Sequence, residues 1–463
     1  MNSPSSITLD YTLHDLYTSD SNDDPNTVLI YYPLQFGHNN EGTQAKFAYG
    51  YRVEDGDEGA TSCLAMAANM VPQRYGFSAG KMPLVILNFI SQGQQPGSED
   101  IKRSAEVDPM PSHLLDIYRT FAQLRTDQRP SVSFAKSPDS IELGLDEKIA
   151  VLLPTDCLSH LPHLTCPETH YEVLSKRGLA VSGLPTPPSQ VIDTLLVDYK
   201  DPGALAKEIT RMTDSIAQNK VPFMVKLPQS ISGMGTFAIT SETDRAHVKA
   251  ILTRQLGIML QQLNQTNQNL YPCSIVLQDF IDGPVVALSF FVTKTGKLIY
   301  ISCCEQLFDE HSHWIGGSIS YRQQAVYKKT FSKITEKVAA FLHRKGYHGP
   351  AGIDIVTNQA TGEQTIIDLN VRVTGTFHLG PLTGHFTSRG LFDAAMTTGD
   401  FCCSRDSFEG AFAEEIREGS LIVSGWVHDE SGLKSHAAIT IGARDADHLK
   451  EYLQRIRIFG LPN

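Results

Sequence analysis

The sequence predicts a mixed α/β and α+β protein with more than one domain. The chain has 463 residues, and roughly two to four domains are expected at this length because single hydrophobic cores stop growing earlier. Apolar segments alternate with helical patterns in the first third of the chain, which favours a largely parallel sheet. Further along, strand-like segments follow one another more directly, and several look antiparallel.

The first domain is predicted from alternating strand and helix patterns. Apolar runs indicate strands, and a 3.6-residue repeat of apolar positions indicates helices. A polar stretch at 91–111 is expected to be an exposed loop. The predicted elements are a strand at 26–34, a helix at 63–76, a strand at 82–91, a helix at 110–125 and a strand at 147–154.

The charge and composition exclude several classes of function. The net charge is −12, and a chain without a Lys/Arg cluster is a poor ligand for nucleic acid or an anionic membrane. No apolar run is long enough to span a bilayer, and the start lacks a secretory pattern. The eight cysteines are scattered without a CxxC motif, which favours reduced thiols. We therefore expect a cytoplasmic protein.

Three polar residues alternate with apolar ones in the segment 365–373. Side chains alternate across a strand, so Asp368, Asn370 and Arg372 share one face. The preceding strand carries Asp354. If the hairpin between them is symmetric about Thr361, the two carboxylates lie opposite each other.

Two opposed carboxylates repel each other, and a bound proton or cation would relieve the repulsion. Carboxylate and amide oxygens suit Mg²⁺ or Mn²⁺, and Mg²⁺ usually completes its shell with water and phosphate. Asp354, Asp368 and Asn370 are therefore a candidate metal–nucleotide site. The alternative is an edge strand whose polar face meets water.

A glycine-rich loop joins two predicted strands after Lys226. Its residues are Ser232, Gly233, Met234 and Gly235. Glycines let backbone N–H groups approach phosphate oxygens, and Lys226 points to the same place. The loop is not a Walker P-loop, whose Lys follows the glycines and opens a helix. The alternative is an ordinary β-turn.

A short polar segment further along is a candidate adenine site. Its backbone could line a base, and Asp279 or Asp282 could reach a ribose, although a plain hairpin turn explains the same pattern. The segment contains Gln278, Asp279, Phe280 and Ile281.

In this order, the segments resemble the ATP-grasp superfamily of carboxylate–amine (or thiol) ligases over about residues 150–390. The resemblance implies a pre-ATP-grasp α/β domain at 1–165 and a small subdomain with the flap and lysines at 166–295. It also implies a catalytic subdomain at 296–390. Residues 391–463 would be a C-terminal α+β extension packed on it.

The resemblance also assigns roles. Lys176, before the Gly-x-Pro-x-Pro exit, and Lys226 would contact the nucleotide, and residues 232–235 would form the flap. Residues 278–281 would lie beside adenine. Asp354, Asp368 and Asn370 would bind the metal, and Arg372 would stabilise the reacting acyl phosphate. Lys226 and Arg372 are therefore the candidate catalytic residues.

The sequence departs from the superfamily at two points. Asp368 stands where a Glu is usual, which shortens the side chain by one methylene and puts the metal position in doubt. The acid often found near Val285 and Val286 is missing, which leaves ribose binding to Asp279 or Asp282.

The resemblance implies an ATP-dependent ligase with ATP and Mg²⁺ (or Mn²⁺). It would join a small-molecule carboxylate to an amine through an acyl phosphate, and a homodimer is possible. An ATP-grasp kinase, a carboxyphosphate-forming enzyme and a nucleotide-binding regulatory protein stay open. Substrate contacts are expected from the first domain and from segments 303–322 and 374–386. The candidate substrate residues are Glu305, Arg322, Thr374, Gly375 and His378.

Overall fold

The computed structural model describes residues 6–20, 26–32, 45–49, 58–87, 112–196, 200–229, 235–310, 313–429 and 434–460. Three sheets organise these residues: a parallel one near the N-terminus, a small antiparallel one in the middle and a large antiparallel one that includes the C-terminal strands.

The first sheet has four parallel strands in the order β3-β2-β1-β4, which confirms the predicted parallel sheet. Strand β3 was not predicted, because its Ser–Val–Ser–Phe–Ala sequence is short and half-exposed. The strands are β1 (Thr27–Tyr31), β2 (Pro83–Leu87), β3 (Ser131–Ala135) and β4 (Lys148–Val151), and the helices are α1 (Leu13–Tyr17), α2 (Glu58–Gly76) and α3 (Ser112–Ala122).

The second sheet has four antiparallel strands in the order β5-β8-β6-β7. Buried apolar residues of α7 and of the sheet form one separate core. The strands are β5 (Ser189–Ile192), β6 (Phe223–Lys226), β7 (Thr236–Ile239) and β8 (Ile275–Asp279), and the helices are α4 (Pro167–Leu174), α5 (Lys176–Ala180), α6 (Pro202–Asp214) and α7 (Glu242–Gln261).

The third sheet has eight antiparallel strands in the order β13-β12-β9-β10-β11-β14-β16-β15. Its strands are β9 (Val285–Val292), β10 (Leu298–Phe308), β11 (Trp314–Ser320), β12 (Gly349–Thr357), β13 (Gln364–Asn370), β14 (Asp393–Phe401), β15 (Leu421–Asp429) and β16 (Lys434–Ala443). The helices of this region are α8 (Gln324–Thr330), α9 (Ser332–Arg344), α10 (Thr383–Thr387), α11 (Arg405–Ala411), α12 (Ala413–Glu418) and α13 (Ala446–Gly460).

Strands β11 and β14 were not predicted, since glycine, alanine and threonine give weak strand patterns. The glycines of β11 are explained by close packing against β14. A Cβ at Gly316 (φ +154°) would lie 1.9 Å from the Met396 carbonyl oxygen. Glycine is therefore required where these two backbones approach.

The N-terminal helices pack against the C-terminal end of the large sheet. Gln73 of α2 is fully buried; it donates to the Trp426 carbonyl (2.7 Å) and accepts from the Trp426 amide (2.9 Å). Arg405 of α11 is also buried and pairs with Asp116 of α3 at 3.0 Å. These contacts fix the end of α2 beside the sheet.

The predicted domain boundaries remain predictions, although two features bear on them. The chain passes from the small to the large sheet between β8 and β9, and β14–β16 continue the large sheet.

The seven cysteines with described side chains are free thiols. Among the described residues, no helix combines the length and apolar character that crossing a bilayer requires.

Candidate active site

The alternating polar residues predicted in the segment 365–373 belong to the hairpin of β12 and β13. Asp354 pairs directly with Asp368, as predicted, although the hairpin is not symmetric about Thr361, because a β-bulge between Asp354 and Ile355 shifts the register. The amide nitrogen of Asn370 lies 3.4 Å from an oxygen of Asp368. Strand β13 is an edge strand, as the alternative required, but two lysines cover its polar face.

Lys176 and Lys226 reach β13 from separate elements. Lys176 opens α5 and forms an ion pair with Asp368. Lys226 ends β6 and donates to the Ile367 carbonyl at 2.7 Å. Both lysines are buried, with 9% and 6% of their surface exposed. The polar face of β13 is therefore partly buried by the two lysines and is not a water-exposed edge.

The two aspartates differ in their affinity for protons. Burial and then the charge of Asp368 raise the pKa of Asp354, against a hydrogen bond from Gln306. Burial also acts to raise the pKa of Asp368, but the charge and hydrogen bond of Lys176 and the charge of Lys226 outweigh it and hold that pKa below its ordinary value. Asp368 is therefore the ionised partner of the pair.

Burial lowers the pKa of Lys226 to about 8, a shift opposed by Asp368 and strengthened by Lys176. An amine with this pKa is cationic at neutral pH and loses its charge in mildly alkaline solution. The phosphate-binding role predicted for Lys226 depends on this charge.

The turn between α4 and α5 fixes Lys176. Ser175 caps α5 by accepting from the Gly178 amide at 2.7 Å, and the Lys176 amide donates to the Pro228 carbonyl at 2.8 Å. A Cβ at Gly178 would lie 2.0 Å from the Glu172 carbonyl oxygen, so only glycine fits there. The same turn therefore holds Lys176 against the segment that follows Lys226.

Helix α4 also supports the backbone beside Arg372. His170 is buried, and its Nε2 lies 2.7 Å from the Val371 carbonyl oxygen. Because burial lowers the pKa of His170 to about 4, the ring is neutral at pH 7 and its Nε2–H donates to this carbonyl. This bond holds the strand end from which Arg372 enters the site.

A cleft of about 440 Å³ runs between the small sheet and the large sheet. Six residues predicted to bind the metal, the phosphates or the acyl phosphate line it: Lys176, Lys226, Asp354, Asp368, Asn370 and Arg372. The sequence-predicted core of the site is therefore assembled in one place.

The predicted adenine segment lines the same cleft. Gln278 to Ile281 contribute to its wall, as do Asp279 and Asp282, the two candidates for a ribose contact. The Gln278 amide donates to Ser189 Oγ at 3.1 Å. Of the predicted flap, Gly235 has φ +75°, a conformation that favours glycine. Ser232, Gly233 and Met234 lie outside the described residues.

Three of the predicted substrate residues line the cleft: Glu305, Thr374 and Gly375. Thr374 is held by a hydrogen bond of 2.6 Å to Ser289. Glu305 is exposed on β10, two strands away from β12 in the sheet.

The other two predicted substrate residues lie elsewhere. Arg322 is exposed outside the cleft, and its guanidinium stacks 4.1 Å from the centre of the Phe392 ring. His378 is buried beneath the sheet and bonds Thr440 at 2.7 Å. The loop after Thr376 turns into the core, so its histidine cannot meet a ligand in the cleft.

The sequence pattern missed four residues of the cleft wall. Gln306 bonds Asp354, and Arg74, Tyr75 and Trp314 form the wall beside Gly375. Trp314 lies in the segment 303–322, from which substrate contacts were predicted. Arg74 lies in the last turn of α2, far from the other site residues in the sequence, and no local pattern marks it.

The donor set fits a magnesium or manganese ion. Asp354 and Asp368 lie opposite each other; burial and then the charge of Asp368 raise the pKa of Asp354, and a bound cation would offset both. The described residues contain no cluster of three or more His, Cys, Asp or Glu suited to a metal. Two carboxylates and an amide are the partial set that Mg²⁺ takes when phosphate completes its shell.

Comparison with known families identifies the domain that holds this site. Residues 226–376 match the family model described as an ATP-grasp domain. The chain contains an ATP-grasp domain. The matched segment begins at Lys226 and ends after the Thr374–Thr376 wall, so it includes the metal carboxylates and Arg372. No curated protein matches the chain significantly.

One solved structure has a similar fold over nearly the whole chain, and two others are more distantly similar. The ADP complex of N5-carboxyaminoimidazole ribonucleotide synthetase has a TM-score of 0.50 at 11% identity and covers 93% of this chain and 96% of its own. The L-amino acid ligase from Bacillus licheniformis has a TM-score of 0.47 at 11% identity, covering 84% and 95%. Phosphoribosylamine–glycine ligase from Thermotoga maritima has a TM-score of 0.48 at 10% identity, covering 85% and 94%. At this identity, the first likeness shows the ATP-grasp fold alone.

The buried histidines predict a loss of stability in mild acid. Burial lowers the pKa of His170, His378 and His385 to about 4, 3 and 4. In the unfolded chain these histidines bind protons near pH 6.5, whereas in the folded chain they stay neutral until about pH 4. The free energy of unfolding therefore falls as pH decreases from about 6.5 towards 4. The raised pKa of Asp354 increases the free energy of unfolding in the same pH range, but this single group acts against three histidines.

Urea unfolding at about pH 7.5 and about pH 5 measures this effect, since ordinary carboxylates stay ionised in that window. We expect a lower midpoint at the acidic pH and a smaller difference in His378→Asn. His247→Asn, which removes an exposed histidine of α7, should keep the wild-type difference. Equal midpoints at both pH values would contradict the prediction.

Proposed function

We propose that the protein is an ATP-dependent ligase that activates a small-molecule carboxylate as an acyl phosphate and joins it to an amine, releasing ADP and phosphate. One observation carries this proposal. The opposed carboxylates of Asp354 and Asp368 face the same cleft as Lys176, Lys226 and Arg372, inside an ATP-grasp domain. Acid groups beside three cations suit a site that handles a metal-bound polyphosphate.

Different walls of the cleft would bind the phosphates, the adenine and the ribose of ATP. Lys226 and Lys176 lie between the two sheets, where their charges offset those of ATP phosphates. The 278–281 segment, with Met224 opposite Gln278 on the neighbouring strand, offers backbone groups and an apolar surface to adenine. Asp279 or Asp282 is left for the ribose.

Asp354, Asp368 and Asn370 would hold one or two magnesium ions, which offset phosphate charge when bound. Lys176, which pairs with Asp368 here, is close enough to exchange this partner for a phosphate oxygen. The shorter Asp368, where the superfamily usually has Glu, is compatible with this role because it already faces Asp354 across the hairpin.

The proposed reaction has two steps. A carboxylate oxygen of the acid attacks the γ-phosphorus of ATP, the bond from that phosphorus to the β-bridging oxygen breaks, and ADP leaves. The ammonium group of the second substrate loses a proton to solvent, and the resulting amine nitrogen attacks the acyl carbon. Phosphate then leaves, and the nitrogen loses a second proton to solvent. Arg372 is placed to stabilise the charge on the acyl phosphate, and the chain's main contribution is positioning and charge neutralisation.

Glu305 is the proposed partner of the amine. It is a carboxylate of the cleft wall outside the pair on the metal hairpin. An ammonium group bound there would lie on the side of β10 and β11, away from the small sheet and its nucleotide-binding wall. Thr374 and Gly375 lie between these two regions and would contact the acid.

A screen for ADP formation tests the proposal. Pools of acids and amines are incubated with the protein, ATP and Mg²⁺, and products are read by mass spectrometry. We expect ADP release that requires both an acid and an amine, with an amide of the summed mass less water. A phosphorylated product without an amide would show a kinase instead. ATP binding without acid-stimulated ADP release would show a regulatory protein.

A further inference from the structure

Arg74 enters the cleft from outside the ATP-grasp domain. It lies in the last turn of α2, next to Gln73, whose bonds to Trp426 fix the helix end. Its guanidinium carbon lies 4.9 Å from the Trp314 ring centre, and its Nε donates to the Gly375 carbonyl at 3.4 Å. A Cβ at residue 375 would lie 2.1 Å from the guanidinium, so Arg74 takes this position because residue 375 is a glycine.

The charge of Arg74 has no acidic partner among the described residues, where none of its contacts is a carboxylate. Burial lowers the pKa of Arg74; the charge of Tyr75 opposes this shift and the neighbouring charge of Arg372 strengthens it. A desolvated guanidinium that faces another cation is costly unless an anion compensates it.

The remaining charges of the cleft already have proposed partners. Lys176 and Lys226 face the nucleotide phosphates, Arg372 faces the acyl phosphate, and the two aspartates hold the metal. Arg74 is left over, and it lies beside Trp314 on β11, which is three strand steps from β12 in the sheet. Arg74 donates to Gly375 and lies close enough to Arg372 for the two charges to interact, so this wall adjoins the position proposed for the acyl phosphate.

Resting on the proposed function, we propose that Arg74 binds a second anionic group of the acid substrate, beside the carboxylate that reacts. Tyr75, Trp314 and Gly375 form the walls of this subsite. A carboxylate or a phosphonate has the required chemistry, since both accept paired hydrogen bonds from a guanidinium. The protein would thus select acids that carry a second anionic group.

Binding measured without turnover tests this inference. Trp314 is one of two tryptophans in the chain, and Trp426 is buried, so tryptophan fluorescence reports on the subsite. Linear dicarboxylates from succinate to pimelate are titrated against their monomethyl esters in the presence of Mg²⁺ and a non-hydrolysable ATP analogue. Phosphonoalkanoates of matched length form a second series and identify which anion is preferred.

We expect at least one diacid or phosphonate to bind roughly 10- to 100-fold more tightly than its ester, which is the range of a charge-assisted hydrogen bond. Arg74→Gln should abolish this difference, and Arg74→Lys should restore part of it. Arg344→Gln, which removes an exposed guanidinium of α9, should behave as wild type. Affinity for the ATP analogue should be unchanged in all three variants.

Equal affinity for diacids and their esters, unchanged affinity in Arg74→Gln or absence of binding in both series would overturn the inference. None of these results depends on ADP formation. Conversely, a diacid that binds through Arg74 but never stimulates ADP release would contradict the proposed ligase while leaving the anion subsite intact.

Discussion

Replacing Asp368 with asparagine is expected to reduce kcat by at least about 100-fold while leaving the protein folded. The substitution keeps the shape of the side chain but removes the charge that binds metal, and changes even in the surroundings of metal ligands typically cost 10- to 100-fold. Lys176 also loses its ion-pair partner. The rate of acid- and amine-dependent ADP formation, measured against Mg²⁺ concentration, reports both effects.

Two variants separate charge from position in this prediction. Asp368→Glu keeps the charge and adds the methylene that is usual in the superfamily, so it should retain more activity than Asp368→Asn. Glu363→Gln removes an exposed carboxylate from the turn of the same hairpin and should match wild type. If Asp368→Asn turned over at the wild-type rate, the assignment of the metal site would be wrong.

The core of this site could be predicted from sequence because its geometry follows from a single hairpin. Alternation along a strand sets Asp368, Asn370 and Arg372 on one face. A β-bulge between Asp354 and Ile355 then shifts the register set by the turn by one residue, and this shift brings Asp354 opposite Asp368. Both are local properties, and the structure has the predicted pairing.

The far wall of the cleft could not be predicted in the same way. Arg74 reaches the cleft because α2 packs on β15, more than 300 residues further along the chain, through Gln73 and Trp426. A sequence pattern carries no signal for such a contact. His378 shows the converse: the loop chemistry suggested a ligand contact, but packing beneath the sheet buried the ring.

The strands missed from the sequence have a physical reason as well. Strand β11 contains Gly316 and Gly317, which weaken a strand by local propensity. These glycines allow close tertiary packing, since a Cβ at Gly317 would lie 2.8 Å from Thr376 and 2.9 Å from the Glu305 carbonyl oxygen. The glycines that hide this strand from sequence-based prediction are the ones that let it pass beside the substrate wall.

The pH dependence of ATP use should depend on Lys226. Its pKa is lowered to about 8, chiefly by burial, so the free protein carries the charge below that pH and loses it above. The attraction for ATP phosphates is therefore present at neutral pH and lost as pH rises through about 8. We expect kcat/KM for ATP to fall up to tenfold per pH unit above that point, since kcat/KM reports the free enzyme.

Substitutions at Lys226 distinguish this titration from general alkaline damage. Lys226→Met should have a low kcat/KM for ATP at every pH and no fall near pH 8, because no charge remains to be lost. Lys226→Arg keeps its charge throughout, so any activity that survives the larger side chain should also lack the fall. A decline near pH 8 that persisted in Lys226→Met would assign the titration to another group. The charge of one buried amine, held between Asp368 and the Ile367 carbonyl, would then not limit nucleotide capture.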